Sequence, residues 1–138
     1  MDAGPLYAYV DGDDRHHRAC LEFLETHQDI LVVPQLVIAE VTYFLSTRLG
    51  TRAESRFLDD LVHGNFLTEP VATRDWQRIS ELVWQYRDLP LGTVDASVVA
   101  AAERLGTIQI ATLDRRHFSV VRPTHTAAFD LMPHALGG

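Results

Sequence analysis

Short apolar runs alternate along this chain with stretches of helical period. PLYAYVD, closed by the DGDD cluster, reads as the end of a strand turning into a short helical segment. Asp13 or Asp14 then caps a helix through about His27, with Ala19, Cys20, Phe23 and Leu24 on one face. ILVV is a short buried strand ended by Pro34. A helix follows from about Gln35 to Leu49, with Leu36, Ile38, Ala39, Val41, Tyr43, Phe44 and Leu45 mostly buried and Gly50 as its stop. Thr51 to about Gly64 is its partner in a helical hairpin, with Phe57, Leu58, Leu61 and Val62 facing inward. FLTEPV reads as a strand, and Thr73 caps a helix to about Asp88 carrying Trp76, Ile79, Leu82, Val83 and Tyr86. After the Pro90–Gly92 turn, Thr93 or Val94 opens an Ala-rich helix that ends at Gly106. TIQIATL is a buried strand, DRRHF a turn or short helix, FSVVRP a further strand, and FDLMP a last edge strand. Strands alternating with helices predict an α/β fold with a mostly parallel sheet, whose functional residues collect at the carboxyl ends of the strands.

Composition narrows the class. The 138 residues predict a single domain over 1–138, and an apolar fraction of 46% without low-complexity tracts reads as globular. No apolar run approaches the roughly 20 residues of a spanning helix, and no basic-then-apolar leader opens the chain, so the expectation is a cytoplasmic protein with no membrane association. Cys20 is the lone cysteine, which excludes an internal disulfide and a Cys-rich zinc site. The formal net charge is −7 and every basic residue other than His is Arg. Bulk electrostatics therefore opposes nucleic acid, and any phosphate chemistry needs local Arg or metal ions.

Four acids stand where acids are normally excluded. Asp2 leads into GPLYAYV, Glu40 interrupts PQLVIAEVTYFL, Asp95 opens DASVVAAA, and Asp114 closes TIQIATLD. A charge beside a core costs several kcal/mol unless it is neutralised. Each acid has an ordinary reading: Asp95 as a first-turn helix acid, Asp114 as a turn residue, Asp2 as a loose terminal residue, Glu40 as a boundary residue reaching solvent. Their coincidence at sheet-edge positions points to a shared partner, and a divalent cation is the simplest one.

Other candidates carry less. His16 and His17 are adjacent and point apart on a helix. His117 reads as a solvated turn histidine near Asp114, and Cys20 as inert core. Trp76 and Trp84, eight residues apart, read as packing rather than a base-stacking platform. Gly-rich phosphate loops, H-E-x-x-H and G-x-S-x-G are absent from the sequence.

The acids and their settings resemble the PIN-domain family, most closely the VapC toxins of bacterial toxin–antitoxin pairs. The likeness covers essentially the whole chain. DAGPLYAYVDGDDRHH is similar to the family's opening Asp, small residue and apolar helix; VPQLVIAEVTYFLSTRLG to its apolar helix with a single Glu; and GTVDASVVAAAERLGTIQIATLDRRHFSVVRP to the segment with the third and fourth acids. Thr112 takes the place of a hydroxyl residue two before the last acid. There are two departures. Only Met1 precedes Asp2, where the family has several apolar residues forming a central strand, so either that strand is shortened or further residues precede Met1. Gly4 stands where many relatives carry Ser or Thr, a supporting position.

The resemblance implies a three-layer PIN-like α/β fold with a helical hairpin, and a Mg²⁺- or Mn²⁺-dependent endoribonuclease with Asp2, Glu40, Asp95 and Asp114 as catalytic acids. Asp2 and Asp95 are then the firmest direct metal ligands, and Glu40 and Asp114 bind directly or through water. Such ions would supply Lewis acidity and an activated water for attack on RNA phosphodiesters, and the implied substrates are structured RNAs such as tRNA or ribosomal RNA loops. Arg15, Arg115 and Arg116 are the candidate RNA contacts, with Arg48 and Arg52 at the hairpin. A homodimer and a small VapB-like antitoxin are implied partners. A housekeeping PIN-domain RNA-processing nuclease without an antitoxin and a non-catalytic PIN-like binding module are the competing classes; a phosphoacceptor domain is disfavoured because the chain has no Lys.

Overall fold

The computed structural model describes residues 1–134. In chain order its elements are α1 (Ala3–Val10), α2 (His17–Thr26), β1 (Val32–Pro34), α3 (Gln35–Arg48), α4 (Thr51–Val62), β2 (Leu67–Glu69), α5 (Asp75–Gln85), α6 (Thr93–Leu105), β3 (Gln109–Ala111), α7 (Arg115–Val120) and β4 (Asp130–Met132). This is an α/β fold, with α3 and α4 forming the helical hairpin around the positive-φ Gly50. Strands pair in parallel, β1 with β2 and β3 with β4, in registers Val32 to Leu67 and Gln109 to Asp130.

Two residues join the pairs. The Met1 amino group donates to the Val32 carbonyl at 2.9 Å, and the Asp2 N–H donates to the Ala111 carbonyl at 2.8 Å. Met1 and Asp2 thus stand between β1 and β3 as a two-residue rung. The apolar GPLYAYV then turns at once into α1, where a strand end was expected.

Beside that rung lies a cavity of about 350 Å³, lined by Val32, Ile110 and Gln109 with Phe23 of α2 and Val98 and Ala101 of α6. Successive residues of a strand offer their peptide groups to opposite edges. The Leu31 carbonyl takes Leu67 N–H on the β2 side, so the Val32 peptide faces the cavity edge. Thr112 N–H and the Ile108 carbonyl bond β4, so the Gln109 and Ala111 peptides face it from the opposite wall. Two strand edges and an apolar floor have the form of a strand-receiving slot. An extension of about four Val or Ile residues placed before Met1 is expected to enter it and raise the thermal midpoint by several degrees. An unchanged or lowered midpoint in a scanning melt would show that the slot does not accept a strand.

The core centres on α6, where residues 96 to 102 are all buried. A helix apolar on every side belongs between layers, and its Ala-rich sequence allows close approach. The same core takes in Leu6, Val37, Leu45, Leu82, Ile110 and Phe118, each fully or almost fully buried. Burying such side chains stabilises the fold by about 1.5–3 kcal/mol apiece. Gly106, at φ 72°, closes α6 in the left-handed conformation as its position in the sequence requires. Arg104 on α6 then ties Glu69 of β2 (2.6 Å) and buried Asp75 on α5 (3.1 Å).

Several expectations are corrected. FSVVRP forms no strand: Phe118 to Val120 complete α7, whose start is fixed by an Asp114 cap. Thr73 does not cap α5, which begins at Asp75 after Arg74. On the hairpin, the buried stripe is Val37, Val41 and Leu45, spaced by four, while Ala39 and Tyr43 face outward. Leu58 and Val62 are also exposed, leaving Phe57 as the inward anchor of α4 with half-buried Leu61 packed on the core as expected. Trp76 and Trp84 are exposed too, and Trp84 stacks under the Arg87 guanidinium at 4.2 Å, so neither serves as core packing.

Candidate active site

Asp2 is held firmly. It is 6% exposed, its backbone is anchored on β3, and one carboxylate oxygen accepts the Thr112 hydroxyl at 2.8 Å. The sequence-based picture of a loose terminal residue is therefore overturned. Thr112 is itself fully buried just past the end of β3, and its Oγ1 also accepts the Asp114 N–H at 2.9 Å. A single hydroxyl thus uses its donor and its acceptor to align two acids brought from opposite ends of the chain. Asp114 follows β3 and caps α7, its Oδ1 accepting the His117 N–H at 2.9 Å.

Asp95 lies in the first turn of α6, where the helix dipole favours a negative charge. Burial nonetheless dominates and pushes its carboxyl up from 3.8 to about 6, with the charges of Asp2 and Asp114 adding to the shift and His117 opposing it. Glu40, half-buried in the middle of α3, is raised first by burial and then by Asp2 and Asp95. Asp2 is raised by burial, against the lowering effect of the Thr112 hydroxyl bond. The mutual repulsion places all four acids in one electrostatic neighbourhood. Glu40 alone among them has no hydrogen-bond partner among the described residues.

His117 is the residue that sequence reasoning missed. Its Nδ1 lies 2.7 Å from Asp114 Oδ2 and 3.2 Å from Asp95 Oδ2, so the solvated-turn reading is corrected. Asp95, Asp114 and His117 offer ligand atoms all within 4.8 Å of one another. The available signal was the i, i+3 spacing from Asp114, which becomes informative only once α7 is known to be a helix. With the carboxyls of Asp2, Glu40 and Asp95 held above their ordinary range and Asp114 beside them, the acids fit a divalent cation. Asp2, expected beside Asp95 as a firm ligand, stands outside that tightest trio.

The arginines divide. Arg15 and Arg116 are exposed. Arg115 instead donates to the Pro133 carbonyl and is half-buried, with burial lowering its pKa. Arg48 lies over the Phe44 and Tyr7 rings at 4.4 and 5.2 Å. Gly4 has a packing role: a Cβ there would meet Leu113 Cβ at 3.2 Å, so the glycine lets α1 approach the loop that carries Asp114.

Comparison with known proteins gives three findings. The PIN domain family model matches residues 1–122. Ribonuclease VapC26 of Mycobacterium tuberculosis is 35% identical over 133 residues, spanning 96% of this chain and 98% of that protein. The crystal structure of Mycobacterium tuberculosis VapC20, described as a sarcin–ricin loop cleaving toxin, aligns with a TM-score of 0.73 at 18% identity, covering 78% of this chain and 83% of that one.

Proposed function

Because this chain belongs to the PIN-domain family, we propose that it is a metal-dependent endoribonuclease acting as the toxin of a toxin–antitoxin pair. The observation that carries the reading is the convergence of Asp2, Glu40, Asp95 and Asp114, drawn from four places in the chain, with Asp95 held up to about 6. That crowding is unfavourable for a fold and favourable for a cation site. A bound Mg²⁺ or Mn²⁺ supplies Lewis acidity at the phosphate and makes water nucleophilic near neutral pH.

The chain's own groups have separable tasks. Asp95 and Asp114 hold the cation. Thr112 fixes Asp2 and the Asp114 backbone, so the carboxylates keep their orientation while substrate enters. Glu40 has a free, half-buried carboxyl with a raised pKa, suited to receive a proton from the attacking water. Exposed Arg15 and Arg116 contact substrate phosphates, offsetting locally a chain of net charge −7. The substrate is a structured RNA loop of the tRNA or ribosomal class. A cytoplasmic homodimer, silenced by a VapB-like antitoxin, completes the reading.

Expression from an inducible promoter is expected to arrest growth, with relief on co-expression of a small neighbouring antitoxin frame. Purified protein should cleave RNA with Mg²⁺ or Mn²⁺ and lose all cleavage after EDTA treatment. Undiminished cleavage in EDTA would sink the metal mechanism; cleavage without growth arrest would favour a housekeeping nuclease.

A further inference from the structure

We infer that His117 is a nitrogen ligand of the cation held by Asp95 and Asp114, making a mixed oxygen–nitrogen site that prefers Mn²⁺ to Mg²⁺. The inference rests on the metal-dependent reading above and deepens it. Its basis is position. His117 Nδ1 faces two carboxylate oxygens at once, at 2.7 Å from Asp114 and 3.2 Å from Asp95. One ring N–H cannot point well at both acceptors, whereas a cation among the three atoms uses each lone pair. The atoms already lie within 4.8 Å of one another.

The placement is built by the fold. Asp114 caps α7 by accepting the backbone N–H of His117 itself, which turns the imidazole back over the capping carboxylate. The next residue, Phe118, is fully buried and anchors that turn in the core. Asp95 arrives from a different helix, α6, whose first turn is fixed by the buried Ala96 and Ser97. Imidazole nitrogen is a ligand for first-row transition ions, while Mg²⁺ keeps octahedral oxygen and water. A nitrogen in the donor set therefore tilts selection toward Mn²⁺.

Pulsed electron paramagnetic resonance on the full chain loaded with Mn²⁺ alone tests this directly, since imidazole nitrogen modulates the manganese echo. Wild type is expected to show nitrogen coupling, and His117→Asn to lose it. Calorimetric titration should show Mn²⁺ affinity falling at least about tenfold in His117→Asn and His117→Gln, with Mg²⁺ affinity changing less than about threefold, in variants whose circular dichroism matches wild type. Manganese that binds wild type without nitrogen coupling overturns the inference and leaves the carboxylate site standing. Coupling that survives in His117→Asn also overturns it, as does tighter binding in the variants, which would make the imidazole a plug that the ion displaces. Failure of wild type to bind either ion removes the underlying metal reading as well.

Discussion

Asp95→Asn is expected to abolish metal-dependent RNA cleavage and, at the same time, to raise the thermal midpoint of the metal-free protein. The catalytic half follows from removing a charge proposed to hold the cation, whose contribution to the transition state is several kcal/mol, a loss of at least about 100-fold in rate. The stability half follows from the direction of the pKa. Burial and the Asp2 charge raise the Asp95 carboxyl from 3.8 to about 6 in the folded protein. The folded state therefore binds this proton more tightly than the unfolded state does. Its stabilisation is fully present below about pH 4 and is lost as pH rises through about 6, so at neutral pH the ionised group costs on the order of 1–3 kcal/mol. Asparagine removes that cost and keeps an oxygen facing His117. Thermal melts in EDTA should show the variant several degrees above wild type at pH 7.5, with the gap closing toward pH 4. Saturating metal should erase the advantage, because the cation neutralises the wild-type carboxylate. Full cleavage activity in Asp95→Asn with Mg²⁺ would show the assignment of this acid to be wrong, and equal apo midpoints at pH 7.5 would show that the acids are not crowded.

Thr112→Val is expected to do the reverse, losing both stability and activity. The substitution keeps the buried shape but deletes a hydroxyl that donates to Asp2 and accepts from the Asp114 N–H. A buried carboxylate and a part-buried backbone N–H are left short, at a cost of about 2–4 kcal/mol. Since Asp2 and Asp114 also lose their common alignment, kcat should fall by about tenfold or more even at temperatures where the variant is fully folded. Thr112→Ser keeps the hydroxyl and should restore most of the activity, while losing some stability through the missing methyl group. A valine variant with wild-type midpoint and kcat would show the hydroxyl bridge to be unimportant.

The two variants also show why the acids were readable from the local pattern, while Thr112 was reached only through the family resemblance and the place of His117 not at all. Asp2, Glu40, Asp95 and Asp114 each break an apolar pattern locally, and that contrast is visible in a one-dimensional string. The Thr112 bridge to Asp2 crosses 110 positions, and the His117 approach to Asp95 crosses 22. Nothing in the local pattern around either residue reports such a partner. The same limit explains the Arg115 partner, the Pro133 carbonyl 18 positions away. It explains the hairpin as well: helical period is evident from residue 35 to 62, but which side of α3 meets α1, α4 and α6 depends on docking. Hence Val37 is buried while Tyr43 and Val62 are exposed.

By itself the sequence determined the α/β alternation, the parallel pairing, the closure of α6 at Gly106, and four acids placed where a fold does not want them. Those features rest on short-range physics: side-chain period, turn chemistry and the local cost of charge. Only the tertiary structure decided that Asp2 is secured by a two-residue rung between β1 and β3, that Thr112 holds two acids with one hydroxyl, and that His117 enters their company. Hydrogen bonds and strong Coulomb interactions act over a few ångströms of space, whatever the separation along the chain. Folding sets those distances, and with them which residues share a site.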